Sequence, residues 1–431
     1  MKLQSYQSIQ NGQLTHSGHS YQDLATTYGT PLYIFDQASF IGRVKAYQEA
    51  FVSNDFQTQV LFASKSLLTK AIGKLVADLG IGQDVVSAGE MYLGLTAGVD
   101  PANMYFHGNN KGNDELQFAM ENGLGTLVID NRSEAKRASQ IAQDLGRKQR
   151  AILRLNPGVD AHTHEYIQTA TLDSKFGESI FDPNIMEIIQ DLAQAPGLDF
   201  VGFHCHIGSQ IFDHSSFLKA ASEMMVFAAK VMISLKIDIK EINFGGGFGV
   251  YYTEEDQPFD VPQFLPSFVS HVEKENKELG LGLEKITIEP GRSLVNDSGS
   301  TLYRVGDLKE TVGGKHYLFI DGGMADNIRP ALYQAKYEAM IVNKADQKPT
   351  RTYTIAGKAC ESGDKIIEAI DLPQAQTGDL LLVNGTGAYN YTMASHYNRL
   401  PIPAMIHIDQ DHHRLTVKRE SFQDLCRQEL D

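Results

Sequence analysis

Residues Val201–Gln210 read VGFHCHIGSQ, Ser216–Leu235 read SFLKAASEMMVFAAKVMISL, and Glu241–Gly247 read EINFGGG. The first and third are short runs rich in β-branched and aromatic residues that break off into His, Gly or Ser. The second carries apolar residues at helical spacing behind a serine placed to cap it. Strand, helix, strand in that order is a parallel crossover unit. The same pattern recurs at Gln59–Ser64 (QVLFAS), Gln83–Ser87 (QDVVS), Met104–Gly108 (MYFHG), Thr126–Asp130 (TLVID), Ala151–Asn156 (AILRLN) and Ile286–Gly291 (ITIEPG), with helix-like stretches such as Asn113–Asn122 (NDELQFAMEN) between. Eight units over roughly 250 residues match a (β/α)8 TIM-type barrel. An open, doubly wound sheet is the competing arrangement, but its Gly-x-Gly-x-x-Gly turn is missing after the first strand.

Beyond Arg292 the rhythm changes. Thr301–Leu308 (TLYRVGDL), His316–Asp321 (HYLFID), Thr352–Ala356 (TYTIA), Asp379–Asn384 (DLLLVN) and Arg414–Arg419 (RLTVKR) read as strands without crossover helices. They imply a second, β-rich domain of sandwich or barrel type. We expect the barrel to span 37–290 and the β-rich domain to combine 1–36 with 291–431. The Tyr33–Phe35 (YIF) strand could join either. A length of 431 residues suits two domains better than one.

Charge and cysteine content narrow the function. Lys+Arg 38 against Asp+Glu 53 leaves −15, a surface that repels phosphate backbones and argues against a nucleic-acid partner. Cys205, Cys360 and Cys426 are few and far apart, as in a reducing cytoplasm. The first 20 residues are polar, without the apolar centre of a signal peptide, and no run approaches ~18 apolar residues. A soluble cytoplasmic protein is expected, with no membrane partner.

Barrels place their chemistry where strands end. The first strand ends in Lys65, whose amine, partly desolvated behind an apolar strand, would have a lowered pKa suited to forming an imine. A lysine lying along the barrel rim is the plainer alternative. The sixth strand ends in His204 and His206, two imidazoles on one side of a strand. They could be zinc ligands, with His107 as a third, or the aromatic face beneath a planar cofactor with Ser209 on its phosphate. Gly245, Gly246 and Gly247 close the seventh strand; such a run either cradles an anion with its amides or makes a tight turn. Glu289, at the eighth strand's end, needs a cationic partner, and a pyridinium nitrogen is one. Lysine, imidazole, phosphate loop and acid together describe pyridoxal 5'-phosphate, with no metal.

These residues lie in recognisable motifs: FASK at Phe62–Lys65, DVVSAGE at Asp84–Glu90, FHGNNK at Phe106–Lys111, SKFG at Ser174–Gly177, then HCHIGSQ, GGGFG and EPGR. DGGMADNIRPALY at Asp321–Tyr333, CESGD at Cys360–Asp364 and GAYNYTMASHYN at Gly387–Asn398 follow. In this order they resemble the fold-type III pyridoxal-phosphate decarboxylases, and among them the branch acting on meso-2,6-diaminopimelate. The resemblance implies that Lys65 carries the cofactor, His206 stacks on its ring and Glu289 pairs with the ring nitrogen. Ser209, Gly245, Gly246, Gly247, Gly291 and Arg292 would surround the phosphate, and Tyr389 would touch cofactor and substrate. Arg292, Arg329 and Tyr333 would bind substrate, Glu361 its distal ammonium, and Cys360 would donate the proton. Cys360 and Glu361 reach a neighbour's site in this family, which implies a homodimer with shared active sites.

The implied reaction converts meso-2,6-diaminopimelate to L-lysine and CO2, the last step of lysine biosynthesis. Decarboxylation of ornithine, lysine or arginine is the nearest alternative, and a non-catalytic homologue a further one. Three positions depart from the family: Ser66-Leu67 for Ala-Asn, Thr169-Ala170 for Thr-Gly, and His396 for a frequent Asn.

Overall fold

The computed structural model describes residues 1–159 and 174–430, so the Thr169-Ala170 departure lies outside the described residues. The chain divides into two compact units: Arg43–Gly249 with Gln257–Ser293, and Met1–Gly42 with Val250–Asp256 and Leu294–Asp431.

In the first unit eight parallel strands run Gln57–Ala63, Gly82–Val85, Met104–Phe106, Thr126–Ile129, Gln149–Asn156, Leu198–Cys205, Glu241–Asn243 and Lys285–Ile288. Gln149–Asn156 pairs with both Thr126–Ile129 and Leu198–Cys205, and Lys285–Ile288 pairs back onto Gln57–Ala63 with Thr287 opposite Gln59. The sheet is therefore a closed barrel, not an open one. Leu61, Tyr105, Val128, Ile152 and Val201 form one buried apolar cluster. Near the strand starts Glu241 is buried in a charged network. It accepts from Tyr105 Oη at 2.5 Å, Thr287 Oγ1 at 3.2 Å and Arg150 Nη2 at 2.6 Å, which neutralises a carboxylate that burial alone would penalise.

The helix read as Ser216–Leu235 begins earlier, at His214. Its cap is Asp213 rather than a serine. The Asp213 carboxylate accepts from the backbone N–H of Ser215 and Ser216 at 3.1 and 3.0 Å and from both hydroxyls, so the serines become donors inside the first turn.

The second unit is β-rich. Its main sheet runs Lys365–Leu372, Arg351–Ala356, His316–Ile320, Gly299–Glu310, Leu32–Asp36, Ala404–Asp409, His412–Val417, with Leu380–Asn384 also on Gly299–Glu310. The N-terminal strand thus belongs here, antiparallel to Gly299–Glu310 and parallel to Ala404–Asp409. Among the described residues no helix is long and apolar enough to cross a membrane.

Candidate active site

Glu289 stands one residue beyond the eighth barrel strand and is 7% exposed. Its Oε1 accepts from His107 Nε2 and Asn243 Nδ2, both at 2.7 Å, and its Oε2 from His204 Nε2 at 3.0 Å. Burial opposes its charge, but His107 and His204 hold the carboxyl well below the usual carboxylate range. An ionised carboxylate only accepts, so both imidazoles present Nε2–H to it. Burial lowers His204 to about 3, which keeps that ring neutral. Three of the carboxylate's roughly four acceptor positions are filled, leaving one on Oε2.

Asn243 links this acid to the glycine run, accepting from Gly245 N–H at 2.9 Å. Gly246 N–H donates to His206 Nδ1 at 3.3 Å. These two amides are engaged within the protein rather than open to an anion, unlike the converging set expected from three glycines. What demands glycine is close packing of strand ends. A Cβ would lie 2.5 Å from Cys205 O at Gly245, 2.2 Å from Glu289 O at Gly246, and 2.3 Å from Gly208 O at Gly247. Arg292, 8% exposed, donates from Nε and Nη2 to Ser209 Oγ at 3.3 and 3.2 Å.

Lys65 lies on the short turn Ser64–Ser66 after the first strand. Its side chain is exposed, whereas a partly buried amine was expected; the turn carries it past the apolar strand. Its charge acts on His206, Asp84 and Glu90, which places it among them. Burial, reinforced by Lys65, lowers His206 well below its ordinary value, so it too is neutral. Ser66, standing where the family has alanine, closes the turn by donating to Ala63 O at 2.7 Å. Gly291 packs here as well, since its Cβ would meet Ala63 Cβ at 2.8 Å.

One placement differs from the sequence reading. The sixth strand ends at Cys205, so His204 is the last inward imidazole and His206 has already left the strand. Ligand atoms of His107, His204 and Glu289 lie within 4.8 Å of one another, as in a metal cluster, and both imidazole–carboxylate contacts are hydrogen bonds. Asn243 and Lys111 went unrecognised. Lys111 is buried, ion-paired with Glu134 at 2.7 Å, and donates to Gly108 O and Val128 O at 2.6 and 2.9 Å, pinning the loop that follows His107.

The β-rich unit holds Arg329, Tyr333, Cys360, Glu361 and Tyr389. Arg329 is 5% exposed. Its Nη1 donates to Tyr252 Oη at 2.9 Å and Tyr337 Oη at 2.6 Å, its Nε is buried without a partner, and no carboxylate among the described residues pairs with it. Asp364 ties two loops together, accepting from Met324 N–H on Oδ1 and from Ala359 N–H on Oδ2, both at 2.7 Å. It thereby fixes the Cys360–Glu361 turn against the segment leading to Arg329. Cys360 and Glu361 are both exposed, and Tyr333 is half-buried. Tyr389 has φ +62°, a left-handed conformation rare for a tyrosine. His396, the third departure, is exposed and bonded to Glu420 at 2.6 Å.

Residues 37–296 match the family described as pyridoxal-dependent decarboxylase, pyridoxal binding domain. A diaminopimelate decarboxylase from Bacillus subtilis (strain 168) is 42% identical over 98% of this chain and 96% of its own. The solved diaminopimelate decarboxylase of Helicobacter pylori, complexed with L-lysine, is 32% identical with a TM-score of 0.86, covering 95% of this chain and 98% of that one. The enzyme of that name from M. jannaschii, in co-complex with L-lysine, is 30% identical with a TM-score of 0.92, covering 99% and 98%. The chain belongs to the pyridoxal-dependent decarboxylases and, within them, to the diaminopimelate decarboxylase family. The barrel residues fit the family's cofactor, pyridoxal phosphate: Glu289 is held ionised with an acceptor position open, and Arg292 with Ser209 supplies donors for a phosphate.

Proposed function

We propose that this chain removes CO2 from one end of meso-2,6-diaminopimelate and releases L-lysine. The observation that carries the reading is Glu289, a buried carboxylate held charged by three donors with one acceptor position left for a ring N–H. Bound pyridoxal phosphate supplies an electron sink for the bond that breaks. Around it, Lys65 would anchor the cofactor through its amine. Glu289 would sustain a proton on the ring nitrogen, and neutral His206 would offer its face to the ring. Ser209, Gly247, Gly291 and Arg292 would hold the phosphate, with Gly245 and Gly246 packing the strand ends beside it through amides already bonded to Asn243 and His206, and Tyr389 would contact both cofactor and substrate. Cys360 returns a proton to the carbon that lost its carboxylate.

Substrate choice follows from charge. The carboxylate that leaves becomes neutral, and a buried arginine against it would stabilise the anion and oppose the step. Arg329 therefore fits the carboxylate that stays on the product, with Tyr333 beside it and Glu361 on the neighbouring ammonium. The barrel, expected over 37–290 and formed by Arg43–Gly249 with Gln257–Ser293, would bind the cofactor, and the β-rich unit, which also takes in Val250–Asp256, would bind substrate and form the dimer. Cys360 and Glu361 are exposed, an unsuitable setting for proton transfer unless covered, which supports a homodimer whose subunits complete each other's sites. Net charge −15 and three scattered cysteines support a cytoplasmic enzyme without nucleic-acid partners.

The test is a substrate panel on the purified protein loaded with pyridoxal phosphate. We expect kcat/KM for meso-diaminopimelate to exceed that for ornithine, lysine or arginine by ~10⁴, because a buried arginine without its anion is costly. Comparable turnover of ornithine or lysine would assign the chain to the basic amino-acid branch instead.

A further inference from the structure

We propose that Tyr252 and Tyr337 are positioning residues that hold Arg329 edge-on to the carboxylate retained on the product, and so set selectivity for a substrate bearing it. This rests on the reading of diaminopimelate as substrate.

A guanidinium has five N–H donors in a rigid fork. In Arg329 the two on Nη1 go to Tyr252 Oη at 2.9 Å and Tyr337 Oη at 2.6 Å. What remains is the Nε and Nη2 edge, the parallel donor pair that meets a carboxylate bidentately. The Nε on that edge is buried and without a partner. The two rings hold the cation from the side: their centroids are 5.4 Å apart and nearly perpendicular at 84°, with Arg329 Cζ 4.8 Å from the Tyr252 ring and 5.8 Å from the Tyr337 ring. Both tyrosines are themselves buried. Tyr252 is fixed in turn by Asp256, whose Oδ2 accepts from the N–H of Tyr252 at 3.0 Å and of Thr253 at 2.9 Å.

The choice of tyrosine over a carboxylate matters. A hydroxyl orients the guanidinium without neutralising it, whereas a resident carboxylate would compete with the incoming anion. The buried charge lacks a counter-ion within the described residues, so its desolvation cost is offset only by a ligand that carries one. If Nη1 were released, the fork could rotate and present a single donor.

Tyr252→Phe and Tyr337→Phe keep the rings and remove the hydroxyls. In the cofactor-loaded enzyme each should raise KM for meso-diaminopimelate about tenfold, as for a lost hydrogen bond to a charged group. The expected changes in kcat and in the visible cofactor band are small. Product inhibition by L-lysine, which keeps the carboxylate, should weaken in parallel. Inhibition by cadaverine, which is lysine without that carboxylate, should stay within twofold. In an Arg329→Lys background the same substitutions should lose most of their effect, since the hydroxyls act through the guanidinium. Unchanged KM in both variants overturns the proposal, and so does equal weakening of lysine and cadaverine, which marks a merely structural role. Wild-type protein that leaves diaminopimelate untouched refutes the substrate reading instead; active wild type with unaffected variants refutes only the positioning role.

Discussion

Replacing Glu289 with glutamine keeps the side chain's shape and removes its charge. Glu289 accepts from His107 and Asn243 on one oxygen and from His204 on the other. Glutamine has one acceptor oxygen and one NH2, so at least one of those donors meets another donor. If the oxygen stays with His107 and Asn243, the NH2 faces His204, whose proton must then move to Nδ1. That atom is buried and has no partner, so the new tautomer strands an N–H. His204, lowered to about 3, offers no compensating charge at working pH. Hydrogen bonds to charged groups are worth ~1.5–3 kcal/mol. Losing one such interaction where charge must be sustained at the ring nitrogen puts the effect near 3 kcal/mol, or a fall in kcat of roughly 150-fold. The assay is lysine release at saturating meso-diaminopimelate, with cofactor occupancy read from visible absorbance. A Glu289→Gln enzyme fully loaded with cofactor and within fivefold of wild-type kcat would refute the reasoning.

Further outcomes test other parts of the account. Mixing Lys65→Ala with Cys360→Ala protein should restore about a quarter of wild-type activity, because half of a random population is mixed dimers with one intact site each; no recovery despite proven subunit exchange would place Cys360 in its own subunit's site. Glu361→Gln should cost ~2–4 kcal/mol in kcat/KM as a lost partner of a buried charge pair, with the cofactor spectrum unchanged. Lys111→Met strands Glu134 in the barrel wall and should lower unfolding free energy in urea by ~3–5 kcal/mol, a loss below 1 being inconsistent with that pairing. Burial pushes Asp326 up to about 7 from an ordinary value near 4, so the folded state binds the proton more tightly than the unfolded one. Its contribution is greatest below pH ~4 and is lost as pH rises toward 7. Asp326→Asn should therefore flatten the decline in Tm between pH 5 and pH 8, and an unaltered slope would contradict the assignment.

The barrel was legible because parallel strands buried on both faces must be apolar and must end where polar residues resume, so each strand end could be read residue by residue. Lys65, Glu289 and the glycine run stood out on that basis alone. Asn243 left a fainter trace: with Glu241 it is a polar residue at period two on an otherwise apolar strand, the side of a pleat that points inward. His107 was visible only as a spare imidazole, since its partner Glu289 lies 182 residues away. The same distance problem hid the clamp on Arg329. Tyr252 belongs to a seven-residue excursion, Val250–Asp256, whose place in the β-rich unit depends on packing and not on any local pattern. The helix cap was misread for a simpler reason. Asp213, Ser215 and Ser216 all suit a cap, and the carboxylate wins because it accepts from two backbone donors at once.

The most direct measurement is the reaction of the cofactor-loaded enzyme with meso-diaminopimelate in D2O, followed by mass spectrometry and NMR of the products. The account predicts L-lysine and CO2 in equal amounts, with one deuterium on the terminal carbon that lost its carboxylate and none on the carbon that keeps it. Deuterium at the retained α-carbon without CO2 release, or no turnover by a fully loaded enzyme, would contradict it.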